Sequence, residues 1–237
     1  MTRLLVSVRD ASEAADAVVG GADLIDIKEP NAGSLGAASS DAVRQIVAEV
    51  DGRLPISVAL GELTDARSSD LSYLGGVDYA KVGLAGASLQ DGWVAEWASL
   101  IGRFPHGVKP VAVVYADYKT ANAPSPDDVL HHARRFGCAA ILIDTFDKAK
   151  GRLTDQWSLA ELRRLVEQVK IAEMLMVVAG SLREEDLPAF RSIAPDYVAV
   201  RSAVCETART ARLSRTLVER MSHVLKGQSV TVSSLSN

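Results

Sequence analysis

Five charged side chains lie at matching positions of a short repeat in the sequence. Four strings align without gaps: GADLIDIK (21–28), GVDYAKVG (76–83), GCAAILID (137–144) and APDYVAVR (194–201). Their last position holds Lys28, Asp144 and Arg201, and the position two residues earlier holds Asp26 and Lys81. Because the side chains of a strand alternate between its faces, residues two apart point to the same side. The repeat therefore predicts that these charged groups meet in one site.

A lysine held among other cations can act as a nucleophile. Removal from water and a neighbouring positive charge both lower the pKa of an amine, so the free amine can attack a carbonyl. The iminium that forms draws electrons from the adjacent carbon, and a second lysine or a carboxylate can then move protons. We therefore expect carbon–carbon bond formation or elimination on an aldehyde or ketone, with no metal and no organic cofactor.

Each of these residues taken alone also has a structural interpretation. A single lysine at the end of a strand usually extends to solvent. Asp144 alone could cap a helix or form a turn, and Arg201 alone could form a structural ion pair. Burying several charges together is costly unless they are paired. Their convergence at one end of a sheet therefore favours a functional site.

Short apolar runs alternate with amphipathic segments along the chain. Eight runs predict strands at 4–8, 23–28, 55–60, 78–84, 110–116, 139–145, 174–179 and 196–202. Strands that are almost wholly apolar are typical of a parallel sheet covered by helices. Eight strand–helix units predict an α/β protein with one (β/α)8 TIM barrel, and an open doubly wound sheet is the alternative. Serines that precede the amphipathic segments predict helix N-caps at Ser12, Ser40, Ser125, Ser158 and Ser181.

Composition and charge argue against several classes of protein. The chain has 237 residues, 48% of them hydrophobic, and a formal net charge of -4. This balance argues against binding to nucleic acid or to a membrane surface through bulk charge. Two cysteines without a CxxC pair predict reduced thiols in a cytoplasmic protein. No linker divides the chain, which predicts one domain over 1–225 and a flexible tail over 226–237.

Two loops favour the binding of a phosphate group. Gly180 and Ser181 follow the seventh predicted strand, and Ser202 follows Arg201 after the eighth. TIM barrels often bind phosphate at these loops, with backbone N–H groups of a helix N-terminus facing the anion. We expect these four residues to bind a substrate phosphate, with Asp26 also lining the substrate site. The sequence has no GxxxxGK[ST] or HExxH motif and its histidines are scattered, which predicts no nucleotide site and no metal site.

Five segments also carry a resemblance to a known family. They are GGADLIDIKEPNAGSLGA (20–37), DYAKVGL (78–84), LIDTFDKAKG (142–151), VVAGS (177–181) and VAVRSAVC (198–205). The sequence resembles the (5-formylfuran-3-yl)methyl phosphate synthase family over nearly the whole chain. The resemblance implies a (β/α)8 lyase without cofactor that condenses two glyceraldehyde 3-phosphate molecules through a lysine Schiff base, losing phosphate and water. It implies that the furan product is the precursor of methanofuran-type C1 carriers.

The resemblance also implies roles for individual residues. Lys28 of the DIKEP segment is implied as the Schiff-base lysine, and Lys81 of DYAKVGL as the proton acceptor. Asp144 and Lys148 of the DTFDK segment are implied to assist proton transfer and to hold phosphate. Lys148 is indicated by the resemblance alone, since a lysine in a loop after a strand is ordinarily solvated.

Two other functions share most of these residues. A Schiff-base aldolase on another phosphosugar uses the same lysines but releases no phosphate. A non-catalytic barrel binds a phosphorylated ligand without turnover. We expect a small phosphorylated aldehyde as the partner, with no nucleic acid and no membrane, and a homo-oligomer is compatible with this sequence.

Overall fold

Eight parallel strands form a closed barrel in the computed structural model, which describes residues 1–66 and 70–227. The strands are β1 (Arg3–Val8), β2 (Leu24–Ile27), β3 (Ile56–Glu62), β4 (Tyr79–Gly83), β5 (Lys109–Tyr115), β6 (Ala140–Asp144), β7 (Leu175–Val178) and β8 (Tyr197–Val200). Each strand pairs with the next one in the chain, and β8 pairs with β1. The predicted (β/α)8 barrel is therefore confirmed, and the alternative of an open doubly wound sheet is wrong.

Helices connect the strands around the barrel. Those of the described residues are α1 (Ala11–Val19), α2 (Ser40–Val50), α3 (Leu63–Ala66), α4 (Trp93–Ile101), α5 (Pro126–Arg135), α6 (Leu153–Gln156), α7 (Leu159–Ile171), α8 (Leu187–Ile193) and α9 (Arg215–Lys226). The predicted caps Ser125 and Ser158 are confirmed. Two other predicted N-caps are wrong: Asp10 caps α1 in place of Ser12, and Ser39 caps α2 in place of Ser40. In both helices a side chain earlier in the sequence accepts the hydrogen bond from the first turn.

The strands are buried on both faces, which explains their apolar runs. On β1, Leu4 and Val6 belong to a large buried cluster that includes Ala14 of α1, whereas Leu5 belongs to a second cluster inside the barrel. On several strands the inward positions become polar toward the carboxyl end, as in β2, where Leu24 is followed by Asp26 two residues later. The apolar interior therefore supports a polar layer at one end of the barrel.

A buried network joins the carboxyl ends of β3, β4 and β5. The Tyr115 hydroxyl donates a hydrogen bond to Glu62 Oε1 at 2.6 Å, and the backbone N–H of Ala85 donates to Glu62 Oε2 at 2.8 Å. The pairing of β3 with β4 shifts register between Ala59 and Glu62, and this shift sets Glu62 beside Gly83. Burial raises the pKa of Glu62, whereas the bond from Tyr115 lowers it, with a raised pKa as the net result.

The carboxyl-terminal end of the described chain is helical. Helix α9 ends at Lys226, so the predicted tail over 226–237 begins at the last helical residue, and 228–237 lie outside the described residues. Within 1–66 and 70–227, no helix has the length and apolar character needed to cross a membrane.

Gly83→Ala should destabilise the barrel, because its Cβ would overlap both Glu62 and the Tyr115 hydroxyl. Overpacking of this kind costs about 1–3 kcal/mol in the free energy of unfolding. Urea denaturation measures the change. Gly75→Ala is the matched control, since a Cβ at Gly75 meets nothing within 4 Å. Equal stability of the two variants would contradict the close packing of this network.

Candidate active site

One cavity at the carboxyl ends of the strands is lined by every residue that the sequence predicts for the site. It encloses about 880 Å³, including its open mouth. The predicted residues that line it are Asp26, Lys28, Lys81, Asp144, Lys148, Gly180, Ser181, Arg201 and Ser202. Active sites of TIM barrels lie at this end, because the loops that follow the strands converge there.

Asp26 of β2 and Lys81 of β4 form a buried ion pair in the cavity wall. Asp26 also accepts hydrogen bonds from the hydroxyls of Ser7 at 2.9 Å and Ser57 at 2.5 Å, so both carboxylate oxygens are used. Ser57 lies on β3, between the two charged residues, and its Oγ also accepts a bond of 3.3 Å from Lys81 Nζ. This network holds the Lys81 ammonium in one position.

Asp144 and Lys148 form a second ion pair on the other side of the cavity. The Ser34 hydroxyl donates to Asp144 Oδ2 at 3.0 Å, which links the loop after β2 to the end of β6. Burial by itself raises the pKa of Asp144, but the charges of Lys148 and Lys28 and two hydrogen bonds lower it below its ordinary value. Asp144 is therefore an ionised carboxylate that can accept a proton or a hydrogen bond from a ligand.

Buried Asp117 holds the loop that carries Lys148. Its two carboxylate oxygens accept hydrogen bonds from the backbone N–H groups of Phe146 at 2.7 Å and Asp147 at 2.9 Å. The Lys148 side chain is 18% exposed, although its loop position predicted a solvated lysine. Sequence reasoning missed Asp117, because an aspartate just after a strand is ordinarily interpreted as a turn residue.

Lys28 lies among these charges without a close partner of its own. It is 9% exposed, and its ammonium forms no hydrogen bond or ion pair with any residue in the described ranges. Burial lowers the pKa of Lys28, and the positive charges of Lys148 and Lys81 lower it further. The carboxylates of Asp144 and Asp26 raise it, and the net result is a pKa of about 8. About a tenth of Lys28 is therefore a free amine at pH 7, far more than for an ordinary lysine.

Arg201 reaches the cavity, yet its guanidinium is bound to other parts of the protein. Two of its nitrogens donate to the carboxylate of Glu13 at 2.5 and 3.1 Å. The other donors reach the carbonyl oxygens of Ser7, Arg209 and Ala211. An arginine has five N–H donors, and here all five have acceptors. Arg201 therefore anchors the loop after β8, as in the structural interpretation of this residue, and has no donor left for a phosphate.

The loop after β7 reaches the cavity in an unusual backbone conformation. Gly180 and Ser181 have φ angles of 114° and 53°, both in the left-handed region. A Cβ at Gly180 would lie 2.8 Å from Leu153 Cβ, which explains the glycine. The helix start predicted at Ser181 is wrong: a 3-10 turn at Glu184–Asp186 and then α8 follow instead. A phosphate at Gly180 and Ser181 would therefore meet a loop rather than a helix N-terminus.

Arg209 also lines the cavity, and sequence reasoning missed it. It lies in the loop after β8, outside the repeated strings, and nothing in its sequence neighbourhood distinguishes it from nearby Arg212. Its Nη2 donates to the Gly33 carbonyl at 2.7 Å, so it bridges the loops after β8 and β2. Burial lowers the pKa of its guanidinium, while the carboxylate of Asp144 raises it. The two side chains are thus close enough for the negative charge of Asp144 to stabilise the Arg209 guanidinium.

No group of three or more His, Cys, Asp and Glu side chains is placed to hold a metal ion within residues 1–66 and 70–227. The two cysteines, Cys138 and Cys205, are free and buried. Burial raises the pKa of the Cys138 thiol to about 12, so it is not a reactive thiolate.

Solved structures confirm the architecture. The chain superposes on phosphoribosyl anthranilate isomerase from Thermotoga maritima with a TM-score of 0.67 and 17% identity, covering 96% of this chain and 100% of that one. It superposes on thiamine phosphate pyrophosphorylase from Pyrococcus furiosus with a TM-score of 0.64 and 15% identity, covering 95% and 96%. At these identities the likeness concerns the fold alone.

Sequence relatives give the family. The model of a family described as 4-HFC-P synthase matches residues 4–222. The chain is 32% identical to (5-formylfuran-3-yl)methyl phosphate synthase of Methanosarcina mazei, covering 92% of this chain and 97% of the relative. It is 34% identical to the protein of the same name from Methanococcus maripaludis, covering 94% and 99%. These findings confirm the resemblance, and the chain belongs to the 4-HFC-P synthase family of enzymes.

Proposed function

We propose that this enzyme condenses two molecules of glyceraldehyde 3-phosphate into (5-formylfuran-3-yl)methyl phosphate through a Schiff base on Lys28. The atoms balance when one phosphate and two water molecules are lost. The name shared by the relatives supports the product. The substrate and the Schiff base are supported by the chemistry of the cavity and by the resemblance of its motifs.

The observation that carries the proposal is the different state of the three lysines. Lys81 and Lys148 are each paired with a carboxylate, whereas Lys28 has no partner among the described residues and a pKa of about 8. Only a neutral amine attacks a carbonyl, so the unpaired lysine is the nucleophile. The paired lysines are held beside it, where they can donate and accept protons.

We propose an order of steps that gives each cavity residue one role. Lys28 Nζ attacks the aldehyde of the first substrate, and loss of water gives an imine. Lys81 passes its proton to Asp26 and then, as the neutral amine, removes the proton from the adjacent carbon as phosphate leaves from the next carbon. The resulting enol carbon adds to the central carbon of the second triose phosphate, which has first isomerised from the aldehyde to the ketone, because the product carries its phosphorylated methyl group on C3 of the ring. Asp144 and Lys148 then move the protons of ring closure and dehydration, steps that need both an acid and a base.

Lys28→Ala should abolish the covalent adduct. Incubation with glyceraldehyde 3-phosphate and cyanoborohydride, followed by mass spectrometry, should locate a reduced adduct on Lys28 of the wild type and none on the variant. Lys150→Ala is the control, because Lys150 is an exposed lysine of the neighbouring loop. An adduct together with phosphate release and a furan aldehyde supports the proposal. An adduct without phosphate release indicates an aldolase, and no adduct at all indicates a binding barrel.

The rate of adduct formation should rise with pH through a midpoint near 8, because the protonated amine of Lys28 does not react. Asp144→Asn should move this midpoint to lower pH, since the Asp144 carboxylate raises the pKa of Lys28. Both midpoints can be measured by quenching the cyanoborohydride reaction at timed intervals. A midpoint near that of an ordinary lysine, about 10.4, would overturn the assignment of Lys28.

Replacing Lys81 and Asp26 together (Lys81→Met with Asp26→Asn) should leave the Lys28 adduct and slow phosphate release. The double change removes one positive and one negative neighbour of Lys28 and leaves no unpaired buried charge. Loss of a positioned general base lowers a rate by about 10²–10⁴-fold. Lys109→Met, at the exposed start of β5, should not change the rate. Unchanged phosphate release in the double variant would assign the proton transfer to another group.

A further inference from the structure

A reaction between two phosphorylated aldehydes needs two binding sites for phosphate. Gly180 and Ser181 of the loop after β7, and Ser202 after β8, line the cavity with neutral polar groups. Phosphate esters carry about two negative charges at neutral pH, and a cation that is free to donate hydrogen bonds binds them most strongly. The cations that line the cavity can therefore be compared by what each already binds.

Three of these cations already bind other groups of the protein, and a fourth, Lys28, is the proposed nucleophile. Lys81 and Lys148 are paired with carboxylates, and all five donors of Arg201 have acceptors in the protein. Lys28 must lose its proton to act as the nucleophile, so it is not the counter-ion of a phosphate. Among residues 1–66 and 70–227, Arg209 is the remaining cation that lines the cavity.

Arg209 keeps most of its donors available. Nη2 donates to the Gly33 carbonyl, and the guanidinium forms no other hydrogen bond and no ion pair with the residues that the structure describes. It is half-buried at the cavity wall, so a phosphate bound there would be partly shielded from water. A planar guanidinium with free donors suits two parallel hydrogen bonds to phosphate oxygens.

The backbone around Arg209 is held by the buried pair of Arg201 and Glu13. Arg201 Nε donates to the Arg209 carbonyl at 2.8 Å, and Arg9 donates to the Thr210 carbonyl at 2.8 Å. Arg9 also bonds to Glu13, so both contacts lead back to one carboxylate. The loop is thus preorganised, which reduces the entropy lost when a ligand binds.

We propose that Arg209 binds a substrate phosphate and selects phosphorylated over unphosphorylated aldehydes, while Arg201 and Glu13 act as positioning residues that hold it in place. This inference rests on the proposed function, because it assigns one of the two phosphates of that reaction. It also accounts for the bridge to Gly33: the loops after β2 and β8 meet at the residue that contacts the anion.

The experiment compares two aldehydes that differ only in the phosphate. The concentration of glyceraldehyde 3-phosphate that gives half-maximal Lys28 adduct should rise about 10- to 100-fold in Arg209→Ala, as expected for loss of a hydrogen-bonded ion pair. The same concentration for unphosphorylated glyceraldehyde should stay unchanged, whereas a general distortion of the site would affect both substrates. Arg209→Lys keeps the charge and should show a smaller increase.

Arg212→Ala is the matched control, since Arg212 lies in the same loop with a side chain that is 68% exposed. It should behave as the wild type with both aldehydes. If Arg209→Ala weakens neither adduct, or weakens both equally, the proposal is overturned.

A second readout does not depend on catalysis. Calorimetric titration with inorganic phosphate should show binding to the wild type and to Arg212→Ala with similar affinity. The affinity of Arg209→Ala for phosphate should be at least about 10-fold lower. If the wild type forms no furan product but this difference persists, the proposed function fails and the phosphate site stands. If phosphate binds wild type and Arg209→Ala equally, or binds neither, the phosphate site is overturned.

Discussion

The properties of the cavity depend on its having fewer carboxylates than lysines in its lining. Among the described residues that line it there are three lysines and two carboxylates: Asp26 pairs with Lys81, and Asp144 pairs with Lys148. A buried ammonium without a partner is costly, and the cost falls when the group loses its proton. Lys28 is that group, so the arrangement of its neighbours, rather than any property of lysine itself, lowers its pKa to about 8 and suits it to the proposed role of nucleophile.

Other buried charged side chains hold loops in place through hydrogen bonds to the backbone. The carboxylate of Glu13 binds Arg201 and Arg9, and these arginines bind the carbonyls of the loop that carries Arg209. Asp117 holds the loop of Lys148 in a similar way through backbone N–H groups. Charge-assisted hydrogen bonds to the backbone are strong and directional, so loops that would otherwise be mobile can place a side chain reproducibly.

Much of the fold and part of the site could be predicted from local pattern. Apolar runs of strand length predicted all eight strands, because each strand is buried on both faces and tolerates few polar residues. The repeat predicted that Asp26, Lys28, Lys81 and Asp144 would line one cavity, because alternation along a strand is a fixed property of the backbone. Helix starts were less predictable, since neighbouring acceptors such as Asp10 and Ser12 compete for the same N–H groups.

The sequence by itself therefore determined the barrel, the end at which the site lies and the residue types that line it. Only the tertiary structure decided which charges pair with which. Arg201 and Lys28 occupy equivalent positions of the repeat, yet all donors of Arg201 are bound by Glu13 and backbone carbonyls, while Lys28 has no partner in the part of the chain that the structure describes. Ion pairing depends on distances between residues far apart in the chain, as between Glu13 and Arg201, and no local pattern encodes those distances.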